Sequence, residues 1–359
     1  MRKNIKILVF TDAFSGGGAE EVMGTYSQFL HQHYQVLHLS KWKGPKQYVL
    51  PYWKISLDRS SLKSCILPLL IVLRRYQPKI VFTSTGHNNI LFLLFKLFWF
   101  RNMKVIIRES SIASVMNQYT WKARLMNRFL VQPLYRMADV VIVQSSDMQY
   151  DLLTQYGLLK EKVVLLQNPV LNPSRYVREP NVAFKTIQLL HIGRFSKEKG
   201  HHRLLDIFAQ LPHSYHLQLI GDGPLLESIK AYAQELNVAD RVNFLGFLQE
   251  EAKLNVILQS NLYVQTSYVE GFPNALAQVV SMGIPAIAFD VPGGTKEILC
   301  STTGLLIEDG ALTNIAQAIQ DTNWSSFDPN AMREVMLQKF GEKACFAKLL
   351  NVFENERKK

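Results

Sequence analysis

Cysteine is scarce: three in 359 residues, Cys65, Cys300 and Cys345, far apart and in no Cys-x-x-Cys or metal-ligand spacing. That excludes a disulfide-stapled scaffold and a cysteine-built zinc site, and suits a reducing compartment with unpaired thiols. No apolar run approaches the ~20 residues needed to span a bilayer. Charged residues are few at 19%, but apolar residues at 48% exclude a disordered chain. Repeats and low-complexity tracts are absent, which excludes solenoids. The glycines Gly16, Gly17 and Gly18 form neither a G-x-G-x-x-G fingerprint, since Glu21 takes the third glycine's place, nor a Walker loop, since no Gly-Lys-Ser/Thr follows. No Asp-x-Asp pair sits in a suitable loop, so no metal site is expected. Met1-Arg2-Lys3-Asn4 runs straight into a short strand, so no secretory leader is expected and the location is expected to be cytoplasmic.

What is present is positive charge. Forty Lys and Arg against 29 Asp and Glu leave a formal +11, which favours anionic partners. The most apolar segments, Cys65–Leu73 and Ile90–Phe100, lie in the first half, beside Arg74, Arg75 and Lys79 and ahead of Lys122, Arg124 and Arg128. Ile90–Phe100 suits a buried helix or an interfacial one lying on anionic lipid. Peripheral attachment at the inner face of a membrane is the expectation that follows. A nucleic-acid partner is not expected, because no recognisable module interleaves aromatic and basic residues.

A length of 359 residues suits about two domains. The strand Ile5–Phe10 leads through a glycine-rich turn into a helix from Glu20 to about His31. Apolar runs at Ile80–Thr83, Lys104–Ile107, Val140–Val143 and Val163–Leu166 follow, spaced by helix-length segments. A polar stretch from Asn172 to Lys185 reads as a linker. The pattern then restarts at Ile187–Ile192, Leu217–Ile220, Arg241–Leu245, Asn261–Gln265 and Pro285–Phe289. Alternating strands and helices indicate parallel sheets. The expected architecture is α/β: two Rossmann-like doubly wound domains facing across a cleft, residues 1–175 and 176–335, with a helical tail, 336–359, returning to the first.

Glu270-Gly271-Phe272-Pro273-Asn274-Ala275-Leu276-Ala277-Gln278 is the most informative segment. Pro273 suits a first helical turn and Gly283 a stop, so a helix lies between them. Glu270 then occupies a loop beside a helix N-terminus, where free N–H groups and the dipole favour an anion. Asn274 and Gln278 share one face, suited to hydroxyls. In His191-Ile192-Gly193-Arg194-Phe195-Ser196-Lys197-Glu198-Lys199-Gly200, Gly193 permits close backbone approach after a strand. Arg194 and Lys199 could clamp a diphosphate.

Taken in order, Gly16-Gly17-Gly18, Asn168-Pro169-Val170, Gly193-Arg194-Phe195 with Lys199-Gly200, Gly221-Asp222-Gly223-Pro224, Phe244-Leu245-Gly246, Glu270 to Asn274, and Pro292 to Ile298 resemble glycosyltransferase family 4. Members of that family are retaining transferases of the GT-B fold. The likeness spans nearly the whole chain, and the set is specific where single pieces are not. It implies a hexosyl-type transferase that needs no metal or cofactor, with the donor, a UDP-sugar in most members, on the second domain and the acceptor on the first. Arg194, Lys199 and Glu270 would act on the diphosphate and transferred sugar. Gly16, Gly17, Gly193, Gly223, Leu245, Phe272, Pro273, Asn274, Ala275 and Gln278 would contact the donor.

Two departures stand out. Gln278 replaces the family's second glutamate, which implies weaker ribose binding. Arg108-Glu109 replaces a histidine after a first-domain strand, a variant seen among transferases that build surface polysaccharides. Arg108, Glu109 and His87 are accordingly the acceptor-side candidates. No carboxylate pair suggests double displacement, so front-face attack assisted by the leaving phosphate is expected, onto a lipid-linked or saccharide acceptor. The rivals are a nucleotide-sugar epimerase on the same fold and a catalytically silent sugar-nucleotide binder.

Overall fold

The computed structural model describes residues 6–14, 17–42, 54–116, 121–170, 178 and 186–358. They form two compact units: residues 1–168 with 343–359, and residues 169–342.

The first unit is built on a seven-stranded sheet: β1 (Lys6–Thr11), β2 (Gln35–Ser40), β3 (Lys54–Ser56), β4 (Ile80–Ser84), β5 (Lys104–Arg108), β6 (Val140–Val143) and β7 (Val163–Leu165). The order is β3-β2-β1-β4-β5-β6-β7, and every pairing is parallel. Strands such as Val140–Val143 are apolar at every position because helices cover both faces of a parallel sheet. These helices are α1 (Gly18–His31), α2 (Leu62–Tyr76), α3 (Gly86–Phe98), α4 (Ala113–Met116), α5 (Trp121–Met126), α6 (Gln132–Tyr135) and α7 (Ser146–Thr154), with a π-helical turn, Asn127–Val131, joining α5 to α6. Ser61 and Ser145 cap α2 and α7, each accepting a backbone N–H three residues on, as helix-start serines do.

The second unit carries β8 (Ile187–Ile192), β9 (Tyr215–Ile220), β10 (Val242–Gly246), β11 (Leu262–Gln265), β12 (Ala286–Asp290) and β13 (Gly304–Glu308). All pair parallel in the order β10-β9-β8-β11-β12-β13. Its helices are α8 (His201–Phe208), α9 (Leu226–Glu235), α10 (Glu250–Leu258), α11 (Asn274–Ser281), α12 (Thr295–Ile298), α13 (Leu312–Asp321) and α14 (Pro329–Phe340). Alternate residues of each strand feed two separate cores. Leu189, Leu262, Val264, Ile287 and Phe289 face one, and Leu190, Tyr263, Ala286 and Ala288 the other.

The units divide slightly away from the boundaries read in the sequence. Val170 packs in the second unit's core, and its N–H donates to the Phe340 carbonyl at 2.8 Å. Helix α14 belongs there too, through Met332, Met336 and Phe340. The return to the first unit is therefore the following helix, α15 (Glu342–Lys358), which adds Cys345, Leu349, Val352 and Phe353 to the core under β1 and α1. Strands β2, β3 and β13 were not expected from the sequence; β3 is only three residues long.

Phe353 is fully buried, edge-on to Phe82 at 5.5 Å between ring centres. Phe353→Ala is expected to cost about 3–5 kcal/mol through lost contacts and a residual cavity. Urea unfolding reads this as a lower midpoint at unchanged slope; a loss below about 1 kcal/mol would mean α15 does not complete that core.

Candidate active site

In the second sheet the chain lays β9 and β10 to one side of β8, then reverses and lays β11 to β13 on the other. Open parallel sheets bind ligands beyond the carboxyl ends of the strands at such a reversal. Two loops meet there, one after β8 and one after β11. Thr266 Oγ1 donates to the Gly200 carbonyl at 3.1 Å, and the Tyr268 N–H donates to the Glu198 carbonyl at 2.8 Å. Gly200 has φ +67°, and a Cβ on it would stand 2.1 Å from the Thr266 oxygen, so only glycine lets the loops approach this closely.

Their approach brings Lys199 Nζ to 2.7 and 2.9 Å from the two Glu270 carboxylate oxygens. The Ser267 hydroxyl donates to Glu270 Oε1 at 2.6 Å. The Glu270 side chain is 9% exposed and that of Lys199 25%. The pair is thus a charge-assisted contact, half shielded from water, with the cation on the open side.

Three further supports fix the carboxylate. The Glu270 N–H donates to the Pro292 carbonyl at 3.0 Å. Gly293, at φ +126°, lies so close that a Cβ would fall 1.8 Å from the Glu270 carbonyl oxygen. Arg203 is buried beneath the loop and donates to the Thr266 and Ser267 carbonyls. It also donates to Asp309 Oδ1 at 2.7 Å, and its guanidinium lies over the rings of Tyr268 and Phe289 at 3.9 and 4.4 Å. Below the site, His191 donates from Nδ1 to the Val264 carbonyl at 2.8 Å and packs edge-on against His201. Burial holds the His191 imidazole down at about 4 and that of His201 at about 2, so both are neutral near pH 7.

Of the donor-side residues expected from sequence, Lys199 and Glu270 come together. Arg194 stands exposed on the loop after β8 and pairs with no carboxylate among the described residues. The Gly193 N–H donates to the Ile220 carbonyl at 3.0 Å, and a Cβ there would meet the Lys199 stem at 3.5 Å. The Gly223 N–H is bound by its neighbour Asp222 at 2.7 Å. Leu245 packs half-buried on β10. The Phe272 ring is buried against Phe340, leaving only its backbone for a ligand. Pro273 is the N-cap of α11, whose start at Asn274 and Ala275 carries no side-chain cap and can receive an anion. Gln278 donates to Glu250 Oε1 on α10 at 2.9 Å.

On the first unit, Gly16 lies outside the described residues, and Gly17 is the extended N-cap of α1. Arg108 and Glu109 do not line an open surface: both are buried. Arg108 donates to Ser84 Oγ at 3.1 Å and Asn168 Oδ1 at 2.6 Å. Glu109 accepts from Tyr135 at 2.5 Å and from the Ser110 N–H at 3.2 Å, and burial raises its pKa. Physically, this pair ties β5 to its neighbours. His87 instead stands half-exposed and bonds Asp12. Arg203, Ser267 and Asp12 were missed in the sequence. An arginine one turn into the apolar-faced α8 was the available signal for the first. Among the described residues, no group of three or more His, Cys, Asp or Glu could hold a metal ion.

Residues 175–332 match the family of glycosyl transferases group 1. The chain is 26% identical over 317 residues, 84% of its own length and 86% of the relative's, to the N-acetylgalactosamine-N,N'-diacetylbacillosaminyl-diphospho-undecaprenol 4-alpha-N-acetylgalactosaminyltransferase of Campylobacter jejuni. It is 30% identical over 166 residues to the Escherichia coli lipopolysaccharide 1,6-galactosyltransferase, covering 45% of this chain and 46% of that one. Among solved structures, Anabaena HepE in complex with UDP-glucose superposes with a TM-score of 0.81 at 19% identity, over 98% of this chain and 100% of that one. The fold is of the GT-B type, and the chain is similar to glycosyltransferases along most of its length.

Arg203→Lys is expected to lower both stability and nucleotide affinity, since a single ammonium lacks the spread of the guanidinium fork that reaches two carbonyls and a carboxylate from three separate nitrogens. A loss of about 3 kcal/mol fits a buried, multiply bonded charge. Denaturant unfolding and nucleotide titration of the same variant check it; unchanged nucleotide affinity would separate Arg203 from the site.

Proposed function

We propose that this protein is a retaining family 4 transferase that moves a sugar from a UDP-sugar to a lipid-linked or saccharide acceptor in surface polysaccharide synthesis, without metal or cofactor. The Lys199–Glu270 pair at the reversal point, beside the uncapped start of α11, carries this reading. A nucleoside diphosphate needs cations and backbone donors; Lys199, the exposed Arg194 and the N–H groups of the first turn of α11 are of that kind. Glu270, fixed by three neighbours, suits the orientation of donor hydroxyls better than attack on the sugar. The cations stabilise charge developing on the leaving phosphate, each worth about 3 kcal/mol in sites of this sort. The acceptor then attacks from the face the phosphate leaves. The nucleotide in the HepE complex supports UDP, and the name of the Campylobacter jejuni enzyme supports a lipid diphosphate.

The first unit fits an anionic lipid surface. From Arg59 to Ala138 the sequence holds 13 Lys and Arg and one acid, Glu109. That acid is buried. The steps from β3 to β4, β4 to β5 and β5 to β6 run the same way along the sheet, so right-handed crossovers place α2, α3, α5 and α6 on one face. Leu67, Ile71, Phe98 and Met126 are exposed on these helices, Trp99 just after α3 and Phe129 in the π-helical turn, and Arg74, Arg75, Arg124 and Arg128 lie near them in the chain. Apolar side chains ringed by cations, with no free acid, suit peripheral docking at headgroup depth. Among the described residues no helix is long and apolar enough to cross a membrane.

Titration with UDP-glucose, UDP-galactose and their N-acetylamino counterparts is expected to find one donor that binds and slowly hydrolyses. Arg194→Ala is expected to weaken it about tenfold or more, the worth of a charge-assisted phosphate contact. If no nucleotide-sugar binds the native protein, the donor reading is wrong. Phosphatidylglycerol vesicles are expected to retain the protein at low salt and release it at high salt; a protein that ignores them would refute membrane docking.

A further inference from the structure

Helix α11 is open along one stripe. Asn274, Ala275 and Gln278 are half-buried, whereas Leu276, Ala277, Val279, Val280 and Ser281 are buried. The stripe runs from the uncapped helix start to Gln278, four residues and about 6 Å further on. Helix α10 packs on the same face of the sheet as α11, since Leu254 and Ile257 share a core with Leu276, Ala277 and Val280. Both helices begin beyond the carboxyl ends of strands, α10 after β10 and α11 after β11. Glu250, the first residue of α10, reaches the open stripe from there: Gln278 Nε2 donates to its Oε1 at 2.9 Å. Lys253 Nζ lies 2.7 Å from the other oxygen, Oε2. The Glu250 side chain is 54% exposed, so a ligand can meet it.

A surface ion pair with Lys253 alone would do little to fix so exposed a carboxylate. Here the two supports come from different helices and take one oxygen each, which holds the carboxylate in one orientation. A carboxylate has about four lone-pair sites, so each oxygen keeps the capacity to accept once more. Two acceptors at that fixed spacing match the two hydroxyls of a vicinal diol. In a nucleoside diphosphate the ribose diol follows the phosphates by a few bonds, a reach comparable with the step from the start of α11 to Gln278. A hydroxyl donates to a carboxylate, whereas a phosphate is repelled by it, so Glu250 suits the ribose and the helix start suits the phosphates.

We propose that Glu250 binds the ribose hydroxyls of the donor nucleotide, each hydroxyl donating to one carboxylate oxygen, and that Gln278 and Lys253 are its positioning residues. The neutral amide at 278 then holds a charge brought in from α10 and does not meet the ribose alone. No covalent bond is made or broken at Glu250. The inference rests on the nucleotide-sugar reading above and extends it to the residue that recognises the ribose.

Calorimetric titration of the full chain with UDP and with 2′,3′-dideoxyuridine 5′-diphosphate tests it. The native protein is expected to prefer UDP about tenfold or more, the worth of a hydrogen bond to a charged group. Glu250→Ala should weaken UDP about tenfold and leave the dideoxy ligand within about twofold, so that the preference collapses. Gln278→Ala should lose part of the preference. Exchanging the pair, Glu250→Gln together with Gln278→Glu, should recover most of it, because the carboxylate only moves across the same hydrogen bond. A preference left intact by Glu250→Ala would overturn the proposal. So would an equal loss for both ligands, which would assign Glu250 to the shape of the site, and so would a native protein that binds the two alike. An exchange that recovers nothing would overturn the placing of the diol at these two side chains. A native protein that binds neither ligand would refute the UDP reading itself.

Discussion

A carboxylate shielded from water is costly unless something charged meets it, and in the second unit that partner is Lys199. The two residues are 71 positions apart and share no strand or helix. They meet because two loops leave the sheet at neighbouring carboxyl ends and are drawn together where neither has bulk to spare. Gly200 removes a side chain from one approach and Gly293 from another. Arg203 does the complementary work from below, collecting carbonyls that would otherwise point into the core unpaired. Without those three, the loop after β11 would have no reason to keep Glu270 on the side of Lys199.

Both units place an acid–base contact at the point where winding reverses, but the two contacts differ in kind. In the second unit the carboxylate is deep and the cation outside, an arrangement that exposes positive charge. In the first, the Asp12 carboxylate accepts from Lys41, His87 and Thr85, and His87 is the most exposed of the charged partners.

The architecture was legible because parallel strands covered on both faces write themselves as apolar runs, and Val140–Val143 or Ile187–Ile192 could hardly be read otherwise. The segment from Glu270 to Gln278 was legible for a related reason: proline, glycine and an acid in a fixed order describe a helix start locally. Contacts across the fold were not. Nothing near Gln278 announces that Glu250 will bind its amide, and nothing near Arg108 announces its burial against Asn168. Asp12 reads as an ordinary turn residue until the strand order is known, since only the order shows that the ends of β1 and β4 are adjacent. Exposure is likewise invisible in a list of residues. The apolar segments before Leu73 and before Phe100 suited burial and a lipid surface equally, and the structure divides them, with Cys65, Leu69 and Leu73 inside and Leu67 and Ile71 outside.

Helix α15 has a bearing on how the chain comes to be folded. The core under β1 and α1 draws on residues at the front of the chain and on Cys345, Leu349 and Phe353, which follow the whole of the second unit. During synthesis the amino-terminal unit is therefore the first to emerge from the ribosome and the last to have all of its parts. The second unit, contiguous from 169 to 342, can complete its sheet while the first still shows an open apolar face. For that interval the cell holds a half-closed domain tethered to a finished one, so chaperone demand should concentrate on the amino-terminal sheet.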